Sequence, residues 1–247
     1  MEPINLFEFE AAAKERLPKE EYDYIAGGAT DEISVERNRR AYESWAFRPR
    51  VLRDVSALDL SATVLGTQVR LPVLIAPCGG HKRAHPEGEL ATYRAAAACG
   101  TILAVSANAG SSFEELSKAA AGHLWMQLYP FRNRELTKDW LKRASDAGYK
   151  AVCVTLDSQW PPKRERNIRN NYRRSRGINY PKPNAEAASA PRPGGRAGEG
   201  ADPAATWKDL EWIRSATELP VVAKGIMTGE DVELCAEAGA DAVIVSN

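Results

Sequence analysis

The sequence lacks the features that mark several classes of protein. Its 33 basic and 33 acidic side chains cancel, so no net charge draws it to nucleic acid or to an anionic membrane. It has no uninterrupted apolar run of about eighteen residues, the length that a membrane-spanning helix requires. The N-terminal stretch MEPINLFEFEAAAKERL is acidic and amphipathic, unlike a secretory signal. We therefore expect a soluble cytoplasmic protein without a membrane span or a nucleic-acid partner.

Cysteine and histidine are scarce. The 4 cysteines lie far apart without a CxxC pair, and none of the 3 histidines has HExxH spacing. A disulfide framework and a zinc site are therefore not expected. We expect reduced thiols and no bound metal.

The sequence does contain a regular alternation of short apolar runs and amphipathic stretches. The apolar runs are rich in β-branched residues and predict six strands, at 71–76, 102–106, 124–129, 151–157, 220–225 and 242–246. The stretches between them predict helices at 88–98, 112–121, 134–147, 208–216 and 229–238. Strands that are buried on both faces and separated by helices form parallel β/α units. Residues 1–65 predict an N-terminal helical segment, with Asn5 and Glu8 as a capping pair.

Two α/β folds fit this alternation, a doubly wound open sheet and a TIM (β/α)8 barrel. Polar side chains recur at the carboxyl end of strand after strand, where a TIM barrel builds its active site. A doubly wound sheet usually has a glycine-rich phosphate loop, and neither GxGxxG nor GxxxxGK[ST] occurs. We predict a TIM barrel, of which residues 66–247 supply about six of the eight strands.

A long insertion interrupts the barrel pattern at residues 158–206. Its first part, 163–176, is basic, and its second part, 181–206, is dominated by Ala, Pro and Gly. This composition favours a solvated loop, whereas the length also fits a lid over the site. Aromatic residues are almost absent from it, which argues against binding of single-stranded nucleic acid.

Several strand-end residues could carry chemistry. Lys224 could form a Schiff base, bind phosphate or place a cation beside a cofactor, or be a surface lysine. Thr155 and Asp157 share one face of their strand, as do Gln127 and Tyr129. Polar pairs that point inward need hydrogen-bond partners. A polar planar ligand could be that partner, or the residues could bond to each other or to water.

In combination and order, seven segments resemble the FMN-dependent α-hydroxy-acid oxidising family, which includes glycolate oxidase, lactate oxidase and mandelate dehydrogenase. The segments are EEYDYIAGGATDE, FRPRVLRDVS, LPVLIAPCGGHKRAHPEGE, MQLY, VTLD, LPVVAKGI and AVIVSN. The resemblance implies a TIM barrel that holds FMN and oxidises a small L-2-hydroxy acid to the 2-keto acid. It also implies O2, a quinone or another carrier as electron acceptor, and a homotetramer.

The resemblance assigns cofactor-binding roles to residues at the strand ends. These residues are Pro77, Cys78, Gly79, Ser106, Gln127, Thr155, Lys224 and Ser246. The loop that contains Cys78 would lie against the flavin near N5, and Ser246 would contact the ribityl chain. Lys224 would lie at the N1–C2 edge, where a reduced flavin carries negative charge.

The resemblance also implies residues for substrate binding and catalysis. Tyr24, Tyr129 and Arg164 would contact the substrate, and Asp157 would orient the base histidine. In the family that histidine and a carboxylate-clamping arginine follow the SN motif, and the sequence ends at Asn247. We therefore expect the 247-residue polypeptide alone to bind FMN weakly and to have little activity.

Departures from the family pattern leave the substrate and the acceptor open. Cys78 and Gly79 replace the usual Thr-Ala, Asn108 stands where glycolate oxidase has tryptophan, and Pro161 stands where leucine is usual. Alternatives are an FMN barrel of the isopentenyl diphosphate isomerase type, a Schiff-base lyase that uses Lys224, and a non-catalytic remnant.

Overall fold

The computed structural model describes residues 3–172, 177–181 and 201–246, and the chain divides into two compact units. The N-terminal unit consists of Met1–Leu58 with Pro162–Ser175, and the barrel unit of Asp59–Pro161 with Arg176–Asn247. The first part of the predicted insertion thus belongs to the N-terminal unit. Residues 182–200, most of its Ala/Pro/Gly-rich part, lie outside the described residues.

The described residues of the N-terminal unit are mainly helical. Its elements are α1 (Leu6–Arg16), α2 (Lys19–Ala26), α3 (Ile33–Arg40), a 3-10 helix (Ala41–Ser44) and, later in the chain, α7 (Glu165–Arg169). The Asn5 side chain accepts the backbone N–H groups of Phe7 and Glu8, both at 3.0 Å, which confirms the predicted cap. None of the helices in the described part of the chain is long and apolar enough to cross a membrane.

The barrel unit contains a hairpin and a parallel sheet. The antiparallel hairpin is β1 (Ala62–Val64) and β2 (Thr67–Val69). The sheet has the order β3 (Ile102–Val105), β4 (His123–Leu128), β5 (Ala151–Thr155), β6 (Val221–Ile226) and β7 (Ala242–Val245), all parallel. Its helices are α4 (Glu89–Cys99), α5 (Phe113–Ala119), α6 (Arg134–Asp146), α8 (Trp207–Ser215) and α9 (Gly229–Glu237). The predicted parallel β/α alternation is confirmed.

The first predicted strand, at 71–76, is reduced to a single bridge. Ile75 donates its N–H to Ile102 O at 2.9 Å and accepts from Ala104 N at 3.0 Å. Pro72 and Pro77 have no N–H to extend this ladder. The hairpin was not predicted, although its turn residues Leu65 (φ 46°) and Gly66 (φ 74°) have the left-handed backbone of a tight hairpin turn.

The two faces of the sheet bury different sets of side chains. The outer face packs against the helices in the larger core cluster, which includes Leu103, Met126, Val154, Phe113 and Trp140. The opposite face, here called the inner face, packs with Val69 of the hairpin and carries Ile102, Ala104, Trp125, Cys153 and Val222. Burial on both faces explains why these strands are continuously apolar rather than alternating.

Candidate functional site

Five polar side chains stand where the inner face of the sheet meets the carboxyl ends of its strands. Because side chains alternate along a strand, each lies two residues beyond an inner-face position. They are Ser106, Gln127, Thr155, Lys224 and Ser246, after Ala104, Trp125, Cys153, Val222 and Ile244. We call these five the strand-end row. The structure thus brings all five predicted strand-end residues to one edge of one face.

Gln127 is the centre of the strand-end row. Its amide nitrogen donates to Thr155 Oγ1 at 2.9 Å and to Leu128 O at 3.0 Å, and its amide oxygen accepts from Ala107 N at 2.9 Å. Gln127 is 2% and Thr155 5% exposed. Gln127 and Thr155 therefore satisfy each other, one of the alternatives that the sequence left open. Because Thr155 accepts from Gln127, its own hydroxyl proton points elsewhere and can be donated.

The two serines of the strand-end row have different surroundings. Ser106 is buried, and its hydroxyl oxygen accepts from Asn108 N at 3.1 Å. Ser246 Oγ is buried and has no hydrogen-bond partner among the described residues. A buried hydroxyl without a partner is costly, so Ser246 has the capacity to bind a polar ligand.

Lys224 ends the regular part of β6. It is in register with Thr155, and its carbonyl accepts from Leu156 N at 2.9 Å. Gly225 follows with φ +99°, and the register with β7 shifts between Lys224 and Ile226. A Cβ at Gly225 would lie 2.5 Å from Asp157 Cγ. Glycine at this bulge therefore permits the close approach of β6 to Asp157.

The buried thiol of Cys153 lies one inner-face position below Thr155. Burial raises its pKa to about 12, although the positive charge of Lys224 acts in the opposite direction. The thiol is therefore neutral at physiological pH and contributes packing rather than nucleophilic chemistry. In the described part of the chain, His, Cys, Asp and Glu side chains form no group of three or more that could hold a metal ion.

The remaining predicted residues of the barrel unit also follow strands. Pro77, Cys78 and Gly79 come just after the bridge at Ile75, and Cys78 is exposed. Tyr129 comes directly after β4, is half-buried and makes an edge contact with Phe131 at 6.2 Å between ring centroids. Asp157 lies two residues beyond β5 and is exposed. All of them are thus placed at the carboxyl side of their strands.

In the N-terminal unit, the structure brings Tyr24 and Arg164 together. The Arg164 guanidinium carbon lies 5.0 Å from the centroid of the Tyr24 ring, and a guanidinium nitrogen donates to Gly27 O. The Tyr172 ring stacks on Tyr24 at 4.9 Å with 19° between the planes. Tyr172 also donates to a carboxylate oxygen of Glu21 at 2.8 Å. Tyr172 was not predicted as part of this cluster, because nothing local in the basic segment shows that this residue stacks on Tyr24.

Charged and polar side chains link α7 and Asn170 to α2 and to Glu32, which precedes α3. Asp23 accepts from Asn170 at 2.7 Å and from Lys19, and Arg166 pairs with Glu32. The hydrogen bonds from Lys19 and Asn170 hold the pKa of Asp23 below its ordinary value. The pKa of Glu32 is lowered mainly by the hydrogen bond from Gly28 N. These contacts connect the segment that follows Arg164 to the helix that carries Tyr24.

A family model and curated proteins match nearly the whole chain. The family described as FMN-dependent dehydrogenase matches residues 13–247. Glycolate oxidase 3 of Arabidopsis thaliana is 41% identical over 253 residues, which cover 100% of this chain and 69% of that protein. A peroxisomal (S)-2-hydroxyacid oxidase of the same plant is 42% identical over 250 residues, which cover 99% of this chain and 68% of that protein.

Solved structures of mandelate oxidase have a similar backbone. One has a TM-score of 0.87 and 35% sequence identity, and covers 100% of this chain and 69% of that chain. Another, with benzoyl-formic acid, has a TM-score of 0.88 and 34% sequence identity, and the match covers 100% of this chain and 68% of that chain.

Proposed function

Because this chain belongs to the FMN-dependent dehydrogenase family, we propose that it serves the oxidation of a small 2-hydroxy acid to the 2-keto acid. The predictions of an oxidoreductase acting on CH–OH groups, of FMN as cofactor and of a partial TIM barrel are confirmed by the family match and the structural neighbours. The observation that carries the proposed reaction is the strand-end row, five polar groups above an apolar inner face.

The chemistry of the strand-end row fits FMN. A flavin has a flat apolar body and one polar edge of ring nitrogens and carbonyls, and it carries a ribityl chain. Ser106, Gln127 and Thr155 would bind the ring and its polar edge, and Gln127 would hold the Thr155 hydroxyl in place. The unpartnered Ser246 Oγ would contact the ribityl chain.

Lys224 would supply a fixed cation at the N1–C2 edge of the ring. Bound FMN supplies the two-electron acceptor for oxidation of the α-carbon, and the reduced ring is negatively charged at this edge. A cation that is already in place stabilises that charge without reorganisation. The contact between Gly225 and Asp157 would hold the end of β6, and with it Lys224, in position.

The substrate would be bound by hydroxyl and guanidinium donors. Tyr24 would bind its carboxylate, Tyr129 would meet its hydroxyl or carboxylate side, and Arg164 would approach the substrate. Asp157 would orient the histidine that removes the hydroxyl proton. The resemblance places that histidine directly after Asn247.

The test is an anaerobic titration of the native protein, with its length first determined by mass spectrometry and by reading the gene across codon 247. If the polypeptide continues with the histidine, glycolate, lactate or mandelate should bleach the flavin absorbance and yield the 2-keto acid. Failure of all three to bleach such a polypeptide would overturn the proposed reaction. Bleaching by residues 1–247 alone would overturn the placement of the base beyond Asn247.

Cell location, electron acceptor and assembly stay predictions. The cytoplasm was predicted, whereas one similar protein is named as peroxisomal. Imaging of a fluorescent fusion decides between these locations, and stopped-flow reoxidation with O2 or a quinone identifies the acceptor. Sedimentation of the native protein tests the tetramer.

A further inference from the structure

Glu89 is a buried carboxylate at the start of α4, outside the strand-end row. It is 1% exposed, and one of its oxygens, Oε1, accepts two backbone N–H groups. These come from His81 at 3.2 Å and from Gly110 at 3.0 Å. A single oxygen atom therefore joins two segments that are 29 residues apart in the sequence (110 minus 81).

Both segments are loops that follow strands of the barrel. His81 begins the 3-10 turn His81–Arg83, in the loop after the Ile75 bridge that also carries residues 77–79. Gly110 lies in the loop after β3, which begins with Ser106. The two loops that Glu89 joins are therefore the loop of Cys78, which the family resemblance places against the flavin, and the loop of Ser106, which the proposed function places at the polar edge of the flavin.

Further contacts show that the loops meet at Glu89. His81 Nδ1 lies 3.0 Å from the hydroxyl of Thr92, one helical turn after Glu89. A Cβ at Gly110 would lie 2.9 Å from Lys82 Cδ and 3.4 Å from Glu89 Oε2. The stem of Lys82 thus packs on Gly110, and a side chain at position 110 would push the loops apart.

The burial of this carboxylate needs a reason. A buried carboxylate is costly unless it is hydrogen-bonded, and Glu89 Oε2 has no hydrogen-bond partner among the described residues. The contribution of this carboxylate to the structure therefore comes from Oε1, which accepts hydrogen bonds from both backbone donors. A residue without an acceptor at this point would leave the two partly buried N–H groups of His81 and Gly110 unpaired.

We propose that Glu89 is a positioning residue of the flavin site, which sets the spacing between the loop of Cys78 and the loop of Ser106. This inference rests on the proposed function together with the family resemblance, which between them make both loops flavin contacts. Glu89 acts through the backbone of His81 and Gly110, not by touching the cofactor or the substrate.

The test compares three substitutions of Glu89 in the full chain. Glu89→Gln keeps an acceptor oxygen, Glu89→Asp keeps the charge but withdraws the oxygen by one methylene, and Glu89→Leu removes the acceptor. Asp241→Leu is the matched control, since Asp241 accepts from Val221 N at 2.8 Å at the opposite, amino end of the strands. Hydrogen exchange at the amides of His81 and Gly110 is measured together with FMN affinity by fluorescence quenching.

We expect Glu89→Asp and Glu89→Leu to raise exchange at both amides and to weaken FMN binding by the folded protein at least about tenfold. Glu89→Gln should stay within about threefold of the unsubstituted protein in both readouts. Asp241→Leu should lower stability but leave exchange at the two amides and FMN affinity unchanged.

Several results would overturn the assignment of Glu89. One is faster exchange at only one of the two amides, and another is unchanged FMN affinity in a folded Glu89→Asp protein. If Glu89→Leu does not fold, the comparison of Glu89→Asp with Glu89→Gln still tests whether the position of the acceptor oxygen controls amide exchange and FMN affinity. If the unsubstituted protein binds no FMN, the proposed function fails, and the positioning role fails with it even if exchange shows that Glu89 joins the loops.

Discussion

At the residue scale, the bond between Gln127 and Thr155 orders the strand-end row. Every polar atom of the Gln127 amide has a partner, and these partners come from β5, from β4 itself and from the loop after β3. A fully satisfied buried polar group fixes one arrangement of its neighbours. The Thr155 hydroxyl is thereby held with its proton available for a ligand.

Thr155→Val tests this bond with little change in shape. It leaves one amide proton of the buried Gln127 without an acceptor, so we expect the free energy of unfolding in urea to fall by about 1–3 kcal/mol. Thr63→Val is the matched control, because Thr63 accepts from Gln68 at 2.7 Å in an exposed pair. Its effect should stay below about 0.5 kcal/mol. Equal effects of the two substitutions would show that the buried bond does not stabilise the site.

At the element scale, the end of β6 depends on one glycine. Gly225 has φ +99° and lies at the register shift between β6 and β7. The sequence LPVVAKGI predicts the strand and places Lys224 at its end, but it does not reveal the bulge. The bulge arises from pairing with β7 and from the proximity of Asp157, both of which are tertiary features.

Gly225→Ala measures how tightly this strand end is packed. Alanine at this position would have a strained backbone, and its Cβ would lie 2.5 Å from Asp157 Cγ. We therefore expect thermal unfolding to show that the free energy of unfolding falls by about 2–4 kcal/mol. Gly148→Ala provides the control, since Gly148 has φ +80° with no atom within 4 Å of the added Cβ. In that variant only the backbone strain should lower the free energy of unfolding, by about 1 kcal/mol. A smaller loss at Gly225 than at Gly148 would contradict the close packing.

Two helices of the barrel unit are joined by a charged pair whose strength depends on pH. Arg143 of α6 donates to both carboxylate oxygens of Glu114 in α5, at 2.8 and 3.0 Å. These hydrogen bonds lower the pKa of Glu114 from 4.5 to about 2. Because the pKa is lower in the folded protein, the pair contributes its full stability above the unfolded value of 4.5. The contribution is lost as the pH falls through about 2.

Glu114→Gln should therefore lower stability near neutral pH and have almost no effect near pH 2, the folded pKa of Glu114. Urea unfolding of both proteins across this range measures the difference. Glu135→Gln, which removes the exposed pair with Lys138, serves as control and should show little pH dependence. A difference that grows as the pH falls would contradict the assignment.

At the scale of the whole molecule, the sequence predicts the repeating part of the fold better than its long-range contacts. Alternating hydrophobic runs are local signals, so the strands from β3 to β7 and the row at their carboxyl ends are predictable. The stacking of Tyr172 on Tyr24 joins residues 148 positions apart (172 minus 24) and has no local signal. The first strand was predicted too long, because Pro72 within its apolar run and Pro77 directly after the run limit the ladder.

The central claim is that the strand-end row binds the flavin ring, with Lys224 at its charged edge. The most direct test is an FMN fluorescence-quenching titration of the full chain, of Lys224→Met and of Lys142→Met, which removes an exposed lysine paired with Asp146. We predict saturable binding by the unsubstituted protein, at least about tenfold weaker binding by Lys224→Met, and no change for Lys142→Met. The absence of saturable binding, or equal affinities of the unsubstituted and Lys224→Met proteins, would contradict the claim.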